Sequence, residues 1–225
     1  MPVGSWLQSV RTRLIAGEGL RKTRFHTYLG DLVDAPGFVY LPHALATTLL
    51  VKVFAHHVEL PWLGFRGVKA LASVVEPSSR VLEFGSGMSS LFFARRCAEL
   101  VSIECDTNWY GEMQKRFAAS GVKNIDYRLR TLEEYAALDD CPDASFDIAL
   151  VDGAERTPTM RTALAKVKPG GFIYLDNSDY FGKARRMLLA AAGGETGDVR
   201  IFRDFTPFQL VAGEGILARL PPPSS

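Results

Sequence analysis

Three polar residues fall where an apolar run stops. Asp152 follows Phe146-Asp147-Ile148-Ala149-Leu150-Val151, and Asp176 with Asn177 follows Gly171-Phe172-Ile173-Tyr174-Leu175. Two carboxylates and an amide are hard oxygen donors of the kind that suits Mg²⁺. Two acids held close repel each other unless something positive lies between them. A divalent ion is one candidate for that charge, and it would also lower the pKa of a bound hydroxyl. Arg156, four residues after Asp152, is the other. The plainer reading is that Asp176 caps a turn and Asn177 supports a loop.

A second constellation is Val81-Leu82-Glu83-Phe84-Gly85-Ser86-Gly87, followed by Met88-Ser89-Ser90. An apolar strand runs into a glycine turn and then a helix. Gly85 and Gly87 let the backbone turn sharply and approach a ligand with no Cβ in the way. The helix start that follows offers unpaired N–H groups. Glu104 closes the next apolar run, 19 residues after Gly85. That spacing sets a carboxylate beside the glycine loop, where it can accept both hydroxyls of a ribose. A plain tight turn and a solvated strand-end acid are the competing readings. Trp109 and Tyr110 could wall an adenine or belong to the core. The dinucleotide fingerprint wants a small Gly or Ala three residues after the second glycine, and Ser90 stands there. Glu83, two residues before Gly85, would repel a pyrophosphate and suit a ligand carrying positive charge.

The elements that must position these groups alternate. Strand-like runs are 80–84, 100–104, 125–129, 146–151 and 171–175, separated by helix-length segments 89–97, 109–120, 132–138, 157–167 and 180–192. Such alternation predicts a parallel sheet with helices on both faces. Residues 199–205 and 215–219 read as two further strands joined by a loop, an antiparallel hairpin at one sheet edge. The expected fold is therefore α/β and doubly wound, with a mostly parallel seven-stranded sheet. Residues 1–79 read as a helical N-terminal extension or lid, and residues 80–220 as the sheet domain. Within the extension, Leu45, Leu49, Val53, Phe54 and Val58 share one helical face, which predicts a helix from about His43 to Val58. A second helix is expected over 64–75 and a short amphipathic one over 6–15.

These motifs resemble those of the class I S-adenosylmethionine-dependent methyltransferases. Glu83-Phe84-Gly85-Ser86-Gly87 is similar to their first motif, Glu104 to their ribose-binding acid, and Phe146 to Gly153 to their fourth-strand motif. Val167-Lys168-Pro169-Gly170-Gly171 is similar to the turn before their fifth strand. The resemblance covers residues 61 to about 219. It implies a Rossmann-like fold, with S-adenosylmethionine held by Glu83, Gly85, Ser86, Gly87, Glu104 and Asp152. Asp152-Gly153 with Arg156, and Leu175-Asp176-Asn177-Ser178, resemble small-molecule O-methyltransferases. In the metal-dependent members of that group, an Asp after strand four and an Asp-Asn pair after strand five hold Mg²⁺. The resemblance thus implies Asp152, Asp176 and Asn177 as both catalytic cluster and metal ligands. The departure is Gly153-Ala154-Glu155-Arg156, where Arg156 could bind substrate or displace the metal. A nicotinamide-dependent oxidoreductase and a non-catalytic cofactor-binding scaffold are the rival readings.

Composition bounds the partners. The 225 residues carry 26 Lys plus Arg against 25 Asp plus Glu, a net charge of +1. That balance gives no overall field for nucleic acid or an anionic membrane. Hydrophobic residues make up 47%, a globular composition that excludes global disorder. Cys97, Cys105 and Cys141 form no CxxC pair, which fits a reducing cytoplasm better than a disulfide framework. The basic N-terminal stretch has no continuous apolar run of the kind a secretory signal needs, and the run 41–58 is too short and too polar to span a bilayer. The expectation is a cytoplasmic protein acting on a small-molecule acceptor, with the N-terminal helices as a lid or a homodimer surface. No His follows residue 57, so a histidine base would have to come from the extension.

Overall fold

Five of the apolar runs form the parallel part of one sheet in the computed structural model, which describes residues 21–54 and 59–222. In chain order the strands are β1 (Arg80–Phe84), β2 (Glu99–Glu104), β3 (Ile125–Leu129), β4 (Phe146–Val151), β5 (Val167–Leu175), β6 (Val199–Phe205) and β7 (Ala212–Arg219). Their order across the seven-stranded sheet is β3-β2-β1-β4-β5-β7-β6. β1 to β5 pair in parallel, and β7 pairs antiparallel with both β5 and β6. The expected hairpin is therefore the sheet edge. The chain leaves β1 toward β2 and β3, then returns to lay β4 on the opposite side of β1. That reversal makes the C-terminal ends of β1 and β4 a topological switch point, where a crevice opens in such sheets.

The helices are α1 (Ala35–Phe38), α2 (Leu41–Phe54), α3 (Phe65–Ala72), α4 (Met88–Ala94), α5 (Thr107–Ser120), α6 (Arg156–Lys166) and α7 (Gly182–Ala191). Burial on both faces explains the apolar strand sequences. One core holds Leu82, Phe84, Tyr135, Val151, Met160, Leu175 and Leu188; the opposite one holds Leu71, Val81, Phe93, Leu150 and Tyr174. Leu63, Ala70 and Leu71 belong to the second core, so the chain before β1 packs into the sheet layer. Phe25 and Val33 pack with Phe205 and Ala212 at the edge strands.

Two expectations are corrected. Residues 132–138 form consecutive turns, not a helix. Their hydrogen bonds run three residues back, from Tyr135 N–H to Leu132 O and from Ala137 N–H to Glu134 O. Tyr135 and Leu138 are pulled into the core while Leu132 stays exposed, so the segment has no continuous apolar stripe. α2 is a helix as expected, but it buries Ala44 and Thr47, and Leu45, Leu49, Val53 and Phe54 are exposed. The small Ala44 side chain admits close contact with the Phe205 cluster, and the Thr47 hydroxyl accepts the Phe208 N–H at 3.1 Å. The helix expected over 6–15, the pair His56-His57 and the helix end at Val58 lie outside the described residues. No helix among the described residues is long and apolar enough to cross a membrane.

Candidate active site

Hydrogen bonds gather the ends of the central strands. Gly85 N–H donates to Ile103 O at 3.0 Å, Asp152 N–H to Phe84 O at 3.0 Å, and Asp176 N–H to Val151 O at 3.2 Å. The glycine loop after β1, Glu104 after β2, Asp152 after β4 and the Asp176-Asn177 pair after β5 thus share one edge.

The glycine loop is tied down by the expected ribose acid. Glu104 accepts the Ser86 N–H at 3.2 Å and the Ser86 hydroxyl at 2.9 Å. Its other oxygen accepts the N–H groups of Cys105 at 2.7 Å and Asp106 at 2.9 Å. Ribose hydroxyls reaching Glu104 would replace the Ser86 donors. Gly87 presents an open face: a Cβ there would find only the Ser89 hydroxyl, at 3.8 Å. Trp109 caps the loop, its indole N–H donating to Ser86 O at 2.8 Å. Tyr110 turns away and stacks on Tyr127, with ring centroids 4.3 Å apart.

Glu83 lies beneath this loop, fully buried. The Ser90 and Ser102 hydroxyls both donate to its Oε2, the latter at 2.6 Å, while Oε1 has no hydrogen-bond partner. Burial pushes its carboxyl up to about 7 against the pull of the serine donors. An orphaned carboxylate oxygen under a loop with an open face is the chemistry a cationic ligand group would complete.

Asp152 and Asp176 lie close enough for the Asp152 charge to help raise the Asp176 carboxyl. Burial raises both above the usual carboxylate range, and Arg156 opposes the rise. The Arg156 guanidinium donates to the Asp152 carboxylate at 2.7 Å, to Asp152 O at 2.8 Å, to Asn177 Oδ1 at 3.0 Å and to Asp176 O. The expected Mg²⁺ does not fit these residues as they stand, because the guanidinium already holds one Asp152 carboxylate oxygen and the Asn177 amide oxygen and places its positive charge where the ion would sit. Among the described residues no group of three or more His, Cys, Asp or Glu side chains is placed to hold a metal ion.

Two cavities meet at this cluster. The larger, about 580 Å³, is lined by Glu59, Trp62, Ser86, Gly87, Trp109 and Asp152, with Met88, Ser89 and Arg116 completing it. The smaller, about 270 Å³, is lined by Asp152, Asp176, Asn177, Thr206 and Gln209, with Arg21 and Trp62 at its wall. Asp152 and Trp62 belong to both. Glu83 and Glu104 line neither; both lie behind the loop, bonded to Ser90 and Ser86. Trp62, Arg21, Thr206 and Gln209 went unrecognised as lining residues. Trp62 carried a faint signal, a large aromatic between Pro61 and Gly64; the others had none.

No protein-family model and no curated protein matches the sequence. Among solved structures, the chain is similar to an O-methyltransferase from Bacillus cereus in complex with SAH, at 15% identity and a TM-score of 0.59, over 96% of this chain and 97% of that one. It is similar to a SAM-dependent O-methyltransferase from Thermotoga maritima at 13% identity and 0.56, over 80% and 72%. It is also similar to an rRNA methylase from Streptococcus thermophilus at 16% identity and 0.53, over 69% and 95%. At these identities the likeness is one of fold. The chain has the Rossmann-like fold of the S-adenosylmethionine-dependent methyltransferases, with a mostly parallel seven-stranded sheet and an antiparallel edge.

Proposed function

We propose that this chain transfers a methyl group from S-adenosylmethionine to a hydroxyl of a small molecule. The observation that carries the reading is the pair of adjoining cavities, one along the glycine loop and one over Asp176 and Asn177, sharing Asp152 as a wall. The larger has the size usual for a ligand pocket, and the smaller falls just below the range of about 300–1,000 Å³. That supports a compact acceptor. S-adenosylmethionine, when bound, supplies an activated methyl group on a sulfonium centre.

The chain's own groups divide the remaining work. Ser86, Gly87 and Glu104 form the binding edge, and Glu83 offers its spare oxygen to a cationic group behind the loop. Trp62 and Trp109 wall the larger cavity and exclude water from it. Asp152 and Asp176 both line the smaller cavity, where a carboxylate of the pair can accept a hydroxyl proton. Asn177, Thr206 and Gln209 give the acceptor hydrogen-bonding partners that fix its orientation.

Calorimetry with S-adenosylhomocysteine and with NAD tests the donor, and mass spectrometry of the labelled product tests the acceptor. Binding of S-adenosylhomocysteine in preference to NAD, with label in a small oxygen-methylated product, is the expected result. Preference for NAD would overturn the donor assignment. Label recovered only in RNA or protein would overturn the acceptor class.

A further inference from the structure

Every hydrogen-bond donor of Arg156 is spent inside the cluster. A guanidinium carries five N–H groups. Nε donates to Gly153 O at 3.2 Å, one terminal nitrogen to Asp176 O and to Asn177 Oδ1, and the other to Asp152 O and to the Asp152 carboxylate. The plane of the group lies over the Phe181 ring, 4.4 Å from its centroid, and the residue is 7% exposed. With no donor left over, Arg156 has nothing to offer an acceptor in either cavity. It binds the protein's own oxygens, and among them are two of the three side chains that sequence assigns to a metal.

The local backbone is arranged for this at some cost. Arg156 is the first residue of α6, where the helix dipole disfavours a cation. Glu155 before it and Asn177 across from it both hold left-handed backbone, at φ 47° and 48°. A left-handed conformation is uncommon for a residue such as Glu. The acids that Arg156 meets offset the unfavourable dipole, and the result is a preorganised set of oxygens around one fixed positive charge.

We propose that Arg156 is a built-in replacement for a divalent cation, which makes this cluster a metal-free one. It is a positioning residue: it neutralises Asp152, fixes Asn177 and ties the β4 and β5 ends together, without touching the acceptor. A metal ion with open coordination positions would grip two neighbouring oxygens of an acceptor. A saturated guanidinium does not, so the acceptor is held by Asp176, Asn177, Thr206 and Gln209, and a chelating vicinal diol gains no advantage over a single hydroxyl. This last consequence rests on the smaller cavity being the acceptor site; the replacement itself rests on geometry alone.

The test reads metal binding, not turnover. Spin resonance of Mn²⁺ titrated with the full chain is expected to show no protein-bound ion. Arg156→Ala vacates the oxygens and leaves two acids unopposed, so that variant is expected to bind one equivalent of Mn²⁺. Its melting temperature should rise on adding Mn²⁺ while that of the native chain stays fixed. Asp152→Asn in the same background should abolish both effects. If Arg156→Ala fails to fold in metal-free buffer, Arg156→Met keeps the packing on Phe181 and takes its place; should both fail, recovery on refolding with Mn²⁺ supports the proposal and its absence rejects it. Stoichiometric Mn²⁺ binding by the native chain, lost in Asp152→Asn, would overturn the proposal. So would an Arg156→Ala protein that folds and still ignores Mn²⁺. Calorimetry with S-adenosylhomocysteine on the same samples keeps failure of the methyltransferase reading separate from failure of this one.

Discussion

Gly85 and Gly153 meet backbone to backbone at the switch point of the sheet. A Cβ on Gly85 would stand 2.6 Å from Gly153 Cα, and one on Gly153 would stand 2.8 Å from the Gly85 nitrogen and strike the Tyr135 hydroxyl. Gly85 also has φ 94°, a conformation that L side chains rarely adopt. The glycine at position 85 therefore serves the contact between two loops, and Gly87 is the one that faces the cavity. Sequence alone suggested that bulk at Gly85 would enter ligand space; the structure puts that bulk into the β4 loop.

Gly85→Ala and Gly153→Ala should accordingly lose stability as well as ligand affinity. Overpacking of this kind costs roughly 1–3 kcal/mol, and the left-handed φ adds to it at Gly85. Urea denaturation measures the loss. Tyr135→Phe should recover part of it for Gly153→Ala, because it removes the oxygen that the new methyl group strikes, and should recover nothing for Gly85→Ala. Equal behaviour of the two glycine variants toward Tyr135→Phe would contradict the geometry.

Glu104 holds four protein donors, two of them from Ser86. Replacing it with Ala frees the glycine loop and removes a carboxylate acceptor. Hydrogen bonds to charged groups are worth about 1.5–3 kcal/mol, so S-adenosylhomocysteine should bind roughly 10- to 150-fold more weakly by calorimetry. Ser86→Ala should cost less, since the Ser86 N–H remains. Unchanged affinity in Glu104→Ala would remove Glu104 from the binding edge.

Stability should depend on pH through Asp204. Burial pushes this carboxyl up to about 7, against the pull of the Arg66 N–H and guanidinium, with Asp34 and Asp176 adding to the rise. It accepts the Arg66 N–H at 2.7 Å and packs against Gly64. A carboxyl raised on folding binds its proton more tightly in the native state. Its stabilising contribution is thus full below about pH 4 and is lost as pH rises through about 7. Asp204→Asn keeps an acceptor and removes the titration. Relative to the variant, the native chain should lose on the order of 2–4 kcal/mol between pH 4 and pH 8. Subtracting the two denaturation profiles cancels the similar trend from Glu83. A flat difference would show that Asp204 stays ionised throughout.

Much of this site was legible because its residues end strands. Glu83, Gly85, Glu104, Asp152 and Asp176 each follow or close an apolar run, and a doubly wound sheet brings such ends to one edge by topology alone. The role of Arg156 was legible only as a choice between ion pair and metal, since sequence spacing does not say where a guanidinium points. The lining from Trp62, Thr206 and Gln209 could not be read. It comes from loops far apart in the chain, brought together by the antiparallel edge, and loops carry no periodicity to betray their neighbours. The exposed Leu45, Leu49 and Val53 illustrate a further limit: an apolar stripe fixes a helix but not which face it buries, and here small Ala44 wins the close contact.

The division into two cavities predicts which change affects only the acceptor. Gly213 lines the smaller cavity and not the larger. A Cβ there meets only the Asn177 side-chain nitrogen, at 3.8 Å, an ordinary contact, and the residue does not need a left-handed backbone. Gly213→Val therefore adds bulk to the acceptor space without forcing the fold. β7 is a strand, and valine suits a strand better than glycine does, so stability should hold or rise slightly in thermal unfolding. Affinity for S-adenosylhomocysteine should match the native chain within error, because no group on the glycine loop moves. Turnover should fall through a higher KM for the acceptor, and more steeply for larger acceptors, since the cavity of about 270 Å³ has little room to spare. Loss of cofactor affinity in this variant would mean that the two cavities work as a single site. Unchanged KM across acceptors of increasing size would place the acceptor elsewhere.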